Sequence, residues 1–414
     1  MSIVRIGILT GGGDCPGLNA VIRAVVRRGI STYHHTIFGF RNGYQGLVDQ
    51  QAVPLTLDSV RGILHQGGTI LGTSRVDPLR HADGAERVKE AMEIHLLDGL
   101  IVIGGEGILS TAWRLHSELE VPVVAVPKTI DNDLASTDRT FGFDTAVTIA
   151  TEAVDRLHST AEAHQRVMVL EVTGRHAGWI ATRAGIAGGA DLILIPEKPF
   201  DIVQVARHLK RRAGIGRTFS IVVVAEGAQP IEGTMQIPEH DRDDYGRPRL
   251  GGISQYIAAE IEQRTGIETR VTILGHVQRG GTPTAFDRVL ATQLGVAAID
   301  LASEGRWGMM AALQGAEVSA APISEATGRL NTVPESLYSS PRSSSPDPPP
   351  ELGRFLGAHR RSRRRAMPAS TMPVVRSGAV ASRAACGSAS AANPVSARCR
   401  RGWGCPSPSR PAPS

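Results

Sequence analysis

The apolar residues of this chain fall in short, dense runs, each followed by a glycine cluster and most then by a stretch with helical spacing. Ile3–Leu9 is the first run, ahead of a helix from Asn19 to about Gly29. Leu100–Ile103 leads into Gly104-Gly-Glu-Gly107 and a helix through about Leu119, and Val121–Val126 is the next strand. Val167–Val172, Ile221–Ala225 and Arg270–Leu274 end in Thr173-Gly-Arg-His-Ala-Gly178, Glu226-Gly227 and Gly275-His-Val-Gln-Arg-Gly-Gly281. An apolar run such as Val121–Val126 reads as a strand buried on both faces of a parallel sheet. The succession of strand, glycine turn and helix predicts an α/β fold. Residues 227–252 are polar and rich in Gly, Pro and Asp, which predicts a long surface loop or hairpin.

A chain of 414 residues is long enough for two or three domains with substantial cores. The first residues run from a strand into glycines with no charged leader and apolar stretch, so no signal peptide is expected. No apolar run approaches the roughly 20 residues of a membrane helix. The expectation is a cytoplasmic protein with no membrane partner.

The net charge of +5 invites a nucleic-acid reading, but the charge is unevenly placed. Residues 339–414 hold 13 arginines, no lysine and two acids, Asp347 and Glu351, for a net of +11. The first 338 residues keep 32 of the 45 basic and 38 of the 40 acidic residues, a net of −6. Cysteine divides in the same way: Cys15 stands alone in the body, while Cys386, Cys399 and Cys405 lie in the tail. One early cysteine offers no disulfide framework and agrees with a reducing compartment. The tail has no helical or strand period and is built from Pro, Ser, Ala, Gly and Arg, so it is expected to be disordered. Its Arg360, Arg361, Arg363, Arg364 and Arg365 suit RNA or an acidic partner. The favoured reading is solvated charge on a non-native extension, since GC-rich DNA read out of frame yields such a composition.

Candidate chemistry sits at the strand ends. The segment Gly11–Gly17 lets backbone amides approach an anion at the start of a helix, or else forms a tight turn. It has neither the Walker spacing nor Gly-x-Gly-x-x-Gly. Glu106 places a carboxylate inside a second glycine turn, suited to Mg²⁺ shared with phosphate oxygens, or to the start of a helix. In Pro127-Lys-Thr-Ile-Asp-Asn-Asp133, an extended backbone would put Asp131 and Asp133 on one face. Paired acids beside Lys128 and Thr129 suit deprotonation of a hydroxyl next to a metal-bound phosphate; turn closure is the alternative. Arg75, Arg166, Arg175, Arg270, His276 and Arg279 lie near strand ends and supply donors enough for two phosphate-bearing ligands.

Together, Gly11-Gly-Gly-Asp-Cys-Pro-Gly-Leu-Asn19, Gly104–Gly107, Pro127–Asp133, Thr173–Gly178 and Gly275–Gly281 resemble 6-phosphofructokinase in order and spacing, from about residue 3 to residue 338. The resemblance implies two Rossmann-like three-layer α/β domains with mostly parallel sheets and a site in the cleft between them. Residues 1–140 with about 278–325 would bind the donor and residues 141–277 with about 326–338 the sugar phosphate, leaving 339–414 as the tail. It implies transfer from Mg-ATP to the 1-hydroxyl of fructose 6-phosphate, giving fructose 1,6-bisphosphate, the committed step of glycolysis. Asp131 would be the general base, and Glu106 and Asp133 would handle the Mg²⁺ and its waters. Arg75 would bridge the phosphates and Thr129 would hold the transferring group. Gly13 and Gly107 would admit the donor, with Val76, Gly105 and Ile108 completing its site. Thr173, Gly174, Arg175, Glu226, His276 and Arg279 would hold the sugar phosphate together with Asp133. Arg166 and Arg270 match positions that reach a neighbouring subunit's site, which implies a homo-oligomer, usually a tetramer.

Two residues bear on the donor. Gly107 is small, as in ATP-using members, where pyrophosphate users tend to carry aspartate. Lys128 stands where typical bacterial ATP enzymes have glycine and pyrophosphate enzymes have lysine. Mixed members of this kind, familiar from actinobacteria, imply ATP, with pyrophosphate as the alternative. Ile108 replaces a usual hydroxyl residue, so one polar contact to the donor is expected to be lost. Arg23, Arg27 and Arg217 match effector-phosphate positions, whereas His158 replaces an arginine there. The reading from another class is a silent relative that binds partners through its basic tail; Glu106, Asp131 and Asp133, whose loss would mark it, are all present.

Overall fold

A computed structural model describes residues 4–236 and 251–344, and the readings for the tail beyond Ser344 and for most of the 227–252 loop fall outside those residues. The strands are β1 (Arg5–Thr10), β2 (Thr36–Phe40), β3 (Ala52–Leu55), β4 (Gly99–Gly104), β5 (Val123–Pro127), β6 (Val167–Val172), β7 (Leu192–Leu194), β8 (Ser220–Ala225), β9 (Thr269–Ile273), β10 (Met309–Gln314) and β11 (Glu317–Pro322). They form a seven-stranded sheet in the order β11-β10-β5-β4-β1-β2-β3 and a four-stranded sheet in the order β7-β8-β6-β9. Only the edge pairs β2–β3 and β10–β11 are antiparallel; every other pairing is parallel. This is the expected α/β architecture of two helix-flanked, mostly parallel sheets.

Burial follows the apolar pattern. Every residue of β4, β6 and β8 is buried, as central strands covered by helices on both faces require. The charge inside β6 has a structural reason: the Glu171 carboxylate accepts Gly252 N at 2.7 Å, Ser254 N at 3.0 Å and Ser254 Oγ at 2.5 Å. It thereby satisfies orphan amides at the start of the helix Ile253–Thr265. One apolar core runs continuously from Ile8 and Ile101 through Ala146 and Val154 of the helix Phe143–His164 to Leu170 and Val223 of the second sheet.

Boundaries shift where local chemistry intervenes. The run expected as a strand from Val121 begins at Val123, because Val121 N bonds back to Leu115 O and finishes the helix Glu106–Leu119. The helix after the first strand spans Leu18–Tyr33, one turn longer than expected. The edge strands β3, β10 and β11 carry weaker signals: β3 contains Pro54, tolerated at a sheet edge, and β10 and β11 are rich in helix-forming alanine. The tail was expected to begin at Ser339, but the helix Glu335–Ser344 carries order past it, with Ser339 Oγ bonded to Glu335 Oε1 one turn back. Among the described residues no helix is long and apolar enough to cross a membrane.

Candidate active site

The first part of the site is the glycine loop after β1. Gly11 N bonds to Ile103 O on the neighbouring strand at 2.9 Å, and Gly12 N to Ser74 O at 2.8 Å. These two amides hold the loop itself, so among the described residues Gly13 is the first glycine whose N–H remains open to a ligand. Thr73 Oγ1 donates to Gly12 O at 2.6 Å and ties down the segment carrying Arg75 and Val76. A Cβ at Gly13 would lie 2.6 Å from Arg279 Nη1, so glycine is needed there for the guanidinium to approach.

Three cations converge on this loop. Lys128 is buried and its Nζ donates to Gly13 O. Arg279 Nη1 donates to Asp14 O at 3.4 Å. Burial, followed by the repulsion of Arg279 and Arg75, lowers the Lys128 ammonium to about 8, against opposing pulls from Cys15 and Asp14. Arg279 was expected at the sugar phosphate; its reach to Asp14 brings it from the end of the 3₁₀ turn Gly275–Arg279 to the donor loop as well.

The second glycine turn opens a helix. Glu106 and Gly107 are exposed in its first turn, after an extended Gly105. Ile108 follows in the same turn. Its side chain is buried beneath the loop, so close to Gly104 that a Cβ there would lie 2.3 Å from Ile108 Cγ2. Its side chain shapes the turn from beneath.

The segment after β5 is not the extended backbone that alternation assumed. Asn132 has φ 53°, a left-handed conformation that asparagine tolerates, so Asp131 and Asp133 are brought together by a turn. Asn132 Oδ1 accepts Thr140 N at 2.9 Å and its Nδ2 donates to Asp138 O at 3.3 Å, while Asp131 N donates to Thr129 Oγ1 at 3.1 Å. Asp131 is half-buried, with its Oδ1 enclosed and without a hydrogen-bond partner among the described residues. Its carboxyl is pushed up to about 7, first by burial and then by the Asp133 charge, with Glu226 adding to the shift and Arg279 opposing it. The Thr173 hydroxyl favours the ionised form but falls short of a hydrogen bond.

The residues expected at the sugar phosphate gather at the ends of β6, β8 and β9. Thr173 N donates to Gln278 Oε1 at 2.8 Å, and Gly227 N to Gly174 O at 3.1 Å, which holds the two loops together. Burial raises the Glu226 carboxyl, and the neighbouring Arg175 is the main influence holding it down. His276 is exposed on the 3₁₀ turn. Gln278, fully buried, and Asn132 have structural parts that the motifs contained but reading them assigned no role; a polar residue amid glycines was the available signal.

Arg166 and Arg270 are not brought into this cluster. Arg166 precedes β6 and Arg270 lies at the start of β9, at the opposite end of the sheet from Thr173. Both bond to Glu268, Arg166 Nε at 2.6 Å. His158, which replaces an arginine of the effector positions, bonds through Nε2 to Gly188 O at 2.7 Å and meets Phe219 edge-on. Among the described residues no three His, Cys, Asp or Glu side chains gather as a metal cage. An exposed Glu106 and a partly exposed Asp133 still fit Mg²⁺, which takes one or two carboxylates and draws its remaining ligands from substrate phosphates and water.

Comparison with known proteins agrees with this geometry. Residues 5–302 match the phosphofructokinase family model. A pyrophosphate–fructose 6-phosphate 1-phosphotransferase of Streptomyces coelicolor is 55% identical over 335 residues, covering 81% of this chain and 98% of that one. ATP-dependent 6-phosphofructokinase 3 of the same organism is 52% identical over 335 residues, with the same coverage. Among solved structures, phosphofructokinase from Saccharomyces cerevisiae is similar with a TM-score of 0.66 and 33% identity, over 78% of this chain and 45% of that chain, so this chain spans about half of the yeast one. With a matched model over most of its length and relatives sharing more than half of their residues, this chain belongs to the phosphofructokinase family and is an enzyme of that type.

Proposed function

We propose that this enzyme transfers the terminal phosphoryl group of ATP to the 1-hydroxyl of fructose 6-phosphate. The observation that carries this reading is the Asp131 carboxyl, unpartnered at Oδ1 and raised to about 7, in a turn reached by Arg279. A base with a pKa near the working pH combines a useful ionised fraction with enough proton affinity to take a hydroxyl proton. Asp133 and Glu226 raise that affinity, and Arg175 and Arg279 orient the sugar phosphate. Thr129, tied to the Asp131 amide, faces the transferring group. Arg75, Lys128 and Arg279 neutralise charge that spreads onto the phosphoryl oxygens, and the Gly13 N–H adds a backbone donor. Glu106 and Asp133 would hold Mg²⁺ together with the phosphates, and it would supply further charge neutralisation.

ATP as donor is supported by Gly107, exposed and without a side chain at the mouth of the turn. Pyrophosphate is the second reading, and a specific observation favours it: a buried ammonium at the glycine loop suits a compact, highly charged donor. The names of the two Streptomyces relatives divide in the same way. A coupled assay for fructose 1,6-bisphosphate with each donor decides between them. Turnover with ATP alone supports the first reading. Turnover with pyrophosphate alone replaces it, and Lys128→Ala should then abolish that turnover.

The reading includes a homo-oligomer, usually a tetramer, whose Arg166 and Arg270 serve a neighbouring copy's sugar phosphate. Their position at the far end of the second sheet, joined through Glu268, supports service outside their own site. We assign the two-domain division to the two sheets, the location to the cytoplasm, and no part in the transfer to the basic tail. Mixing Asp131→Asn protein with Arg166→Ala protein should restore activity if sites are shared between copies; mixtures as inactive as their parents would reject the sharing.

A further inference from the structure

The last structured segment before the helix Glu335–Ser344 crosses the turn that carries Asp131. Asn331 N donates to Asp133 O at 2.9 Å, Asn331 Nδ2 donates to Asn132 O at 3.0 Å, and Leu330 pairs with Leu134 as an isolated antiparallel bridge. On the other side, Asn331 O accepts Trp179 Nε1 at 2.7 Å. Two residues on, Val333 N donates to Glu197 Oε1 at 3.0 Å, and the same carboxylate accepts Gly178 N. Gly178 and Trp179 close the loop that begins at Thr173. A single residue therefore joins the turn of the first sheet to the end of the sugar-side loop of the second.

Apolar packing anchors the turn at its two ends, through the buried Ile130 and Leu134. The outer side of the turn borders an open cavity of about 390 Å³ lined by Ser136, Thr137, Asp138, Arg329 and Thr332 along with Asn331. None of the residues assigned to either substrate lines it. Between those anchors Asn132 is left-handed, and the backbone there is held by hydrogen bonds. Two of its carbonyls, Asn132 O and Asp133 O, are bonded by Asn331.

We propose that Asn331 is a positioning residue for phosphoryl transfer: it holds the Asp131 turn in register with the loop that binds the sugar phosphate. The proposal rests on the reading of Asp131 as the general base. Asn331 touches no reacting atom, so its effect is on alignment, and alignment errors appear in turnover before they appear in affinity.

The test uses the full chain with two variants at opposite ends of the link. Asn331→Leu removes the bond to Asn132 O at similar side-chain volume, and Trp179→Phe removes the indole donor while keeping a ring against Phe143. Each should lower kcat by about ten- to a hundredfold with KM for both substrates changed by less than about threefold, the cost of a misplacement near 1 Å. The double variant should be no worse than about the more damaged single one, because both cut the same path. Wild-type kcat in both variants, with only a lower thermal midpoint, would overturn the proposal; so would a rise in KM alone. Asp131→Asn in the same assay separates the two readings. If it retains turnover, the base assignment falls and the proposal with it; if it is inactive while both link variants remain fully active, only the proposal falls.

Discussion

Two aspartates in this molecule share a raised carboxyl and differ in what surrounds it. Asp287, in the first turn of the helix Ala285–Ser303, is wholly enclosed, and its Oδ2 accepts Thr145 N at 2.8 Å and Thr145 Oγ1 at 2.6 Å. Asp131 is enclosed at Oδ1 but half-exposed as a residue, and its surroundings are Asp133, Glu226 and Arg279. Burial is the first cause of the raised carboxyl in both, to about 6 for Asp287 and about 7 for Asp131. At Asp287 the next influences are bonds from Thr145 that oppose the shift; at Asp131 the next is a second acid that adds to it. A raised carboxyl alone therefore does not identify a catalytic group. Access from solvent and the charge of the neighbours do, because a base must meet its substrate and release a proton.

The comparison breaks most sharply on substitution. Asp131→Asn should lower kcat by about a hundred- to ten-thousandfold, the usual worth of a positioned base, with the fold intact by circular dichroism. A variant within tenfold of wild type would return Asp131 to the same class as Asp287. The next effect is on pH: turnover should climb about tenfold per pH unit on the acid side and level off above about 7, as Asp131 ionises. Stability moves the other way. A carboxyl whose folded value exceeds its unfolded one contributes stability at low pH that is lost as pH rises, between 3.8 and about 7 for Asp131 and between 3.8 and about 6 for Asp287. Thermal midpoints of Asp131→Asn should accordingly fall less than wild type across that window, and equal slopes would contradict the assigned shift.

A smaller effect is expected at the glycine loop. Gly13→Ala should displace Arg279 and lower kcat/KM by about tenfold, near the ~1.5 kcal/mol of one hydrogen bond to a charged group, with thermal stability almost unchanged. Steady-state kinetics beside a melting curve checks both halves. The smallest effect on activity belongs to the other aspartate. Asp287→Ala should keep kcat within about twofold while costing ~1–3 kcal/mol in urea unfolding, because the buried Thr145 donors lose their acceptor. A large loss of turnover there would erase the distinction between the two acids.

Much of this was legible before any fold was in view. The runs that became β4, β6 and β8 are apolar but for Glu171 and Ser220, as a strand covered on both faces requires. The glycine clusters, the paired acids and Lys128 could be read because turns and phosphate sites restrict residue types strongly at short range. Three things could not be read that way. The left-handed Asn132 sets Asp131 against Asp133 by a turn, and no alternation rule contains it. The inward rotation of Ile108 depends on glycine at both Gly11 and Gly104, which a linear motif does not connect. The link through Asn331 joins residues separated by 199 and 152 positions in the chain, and only folding brings them within hydrogen-bond reach. Local sequence determined the elements and the chemical inventory, since propensity and side-chain type act over a few residues. The tertiary structure decided which acid is enclosed among other charges and which long-range bonds surround it, because burial, neighbouring charge and long-range hydrogen bonds exist only once distant segments meet.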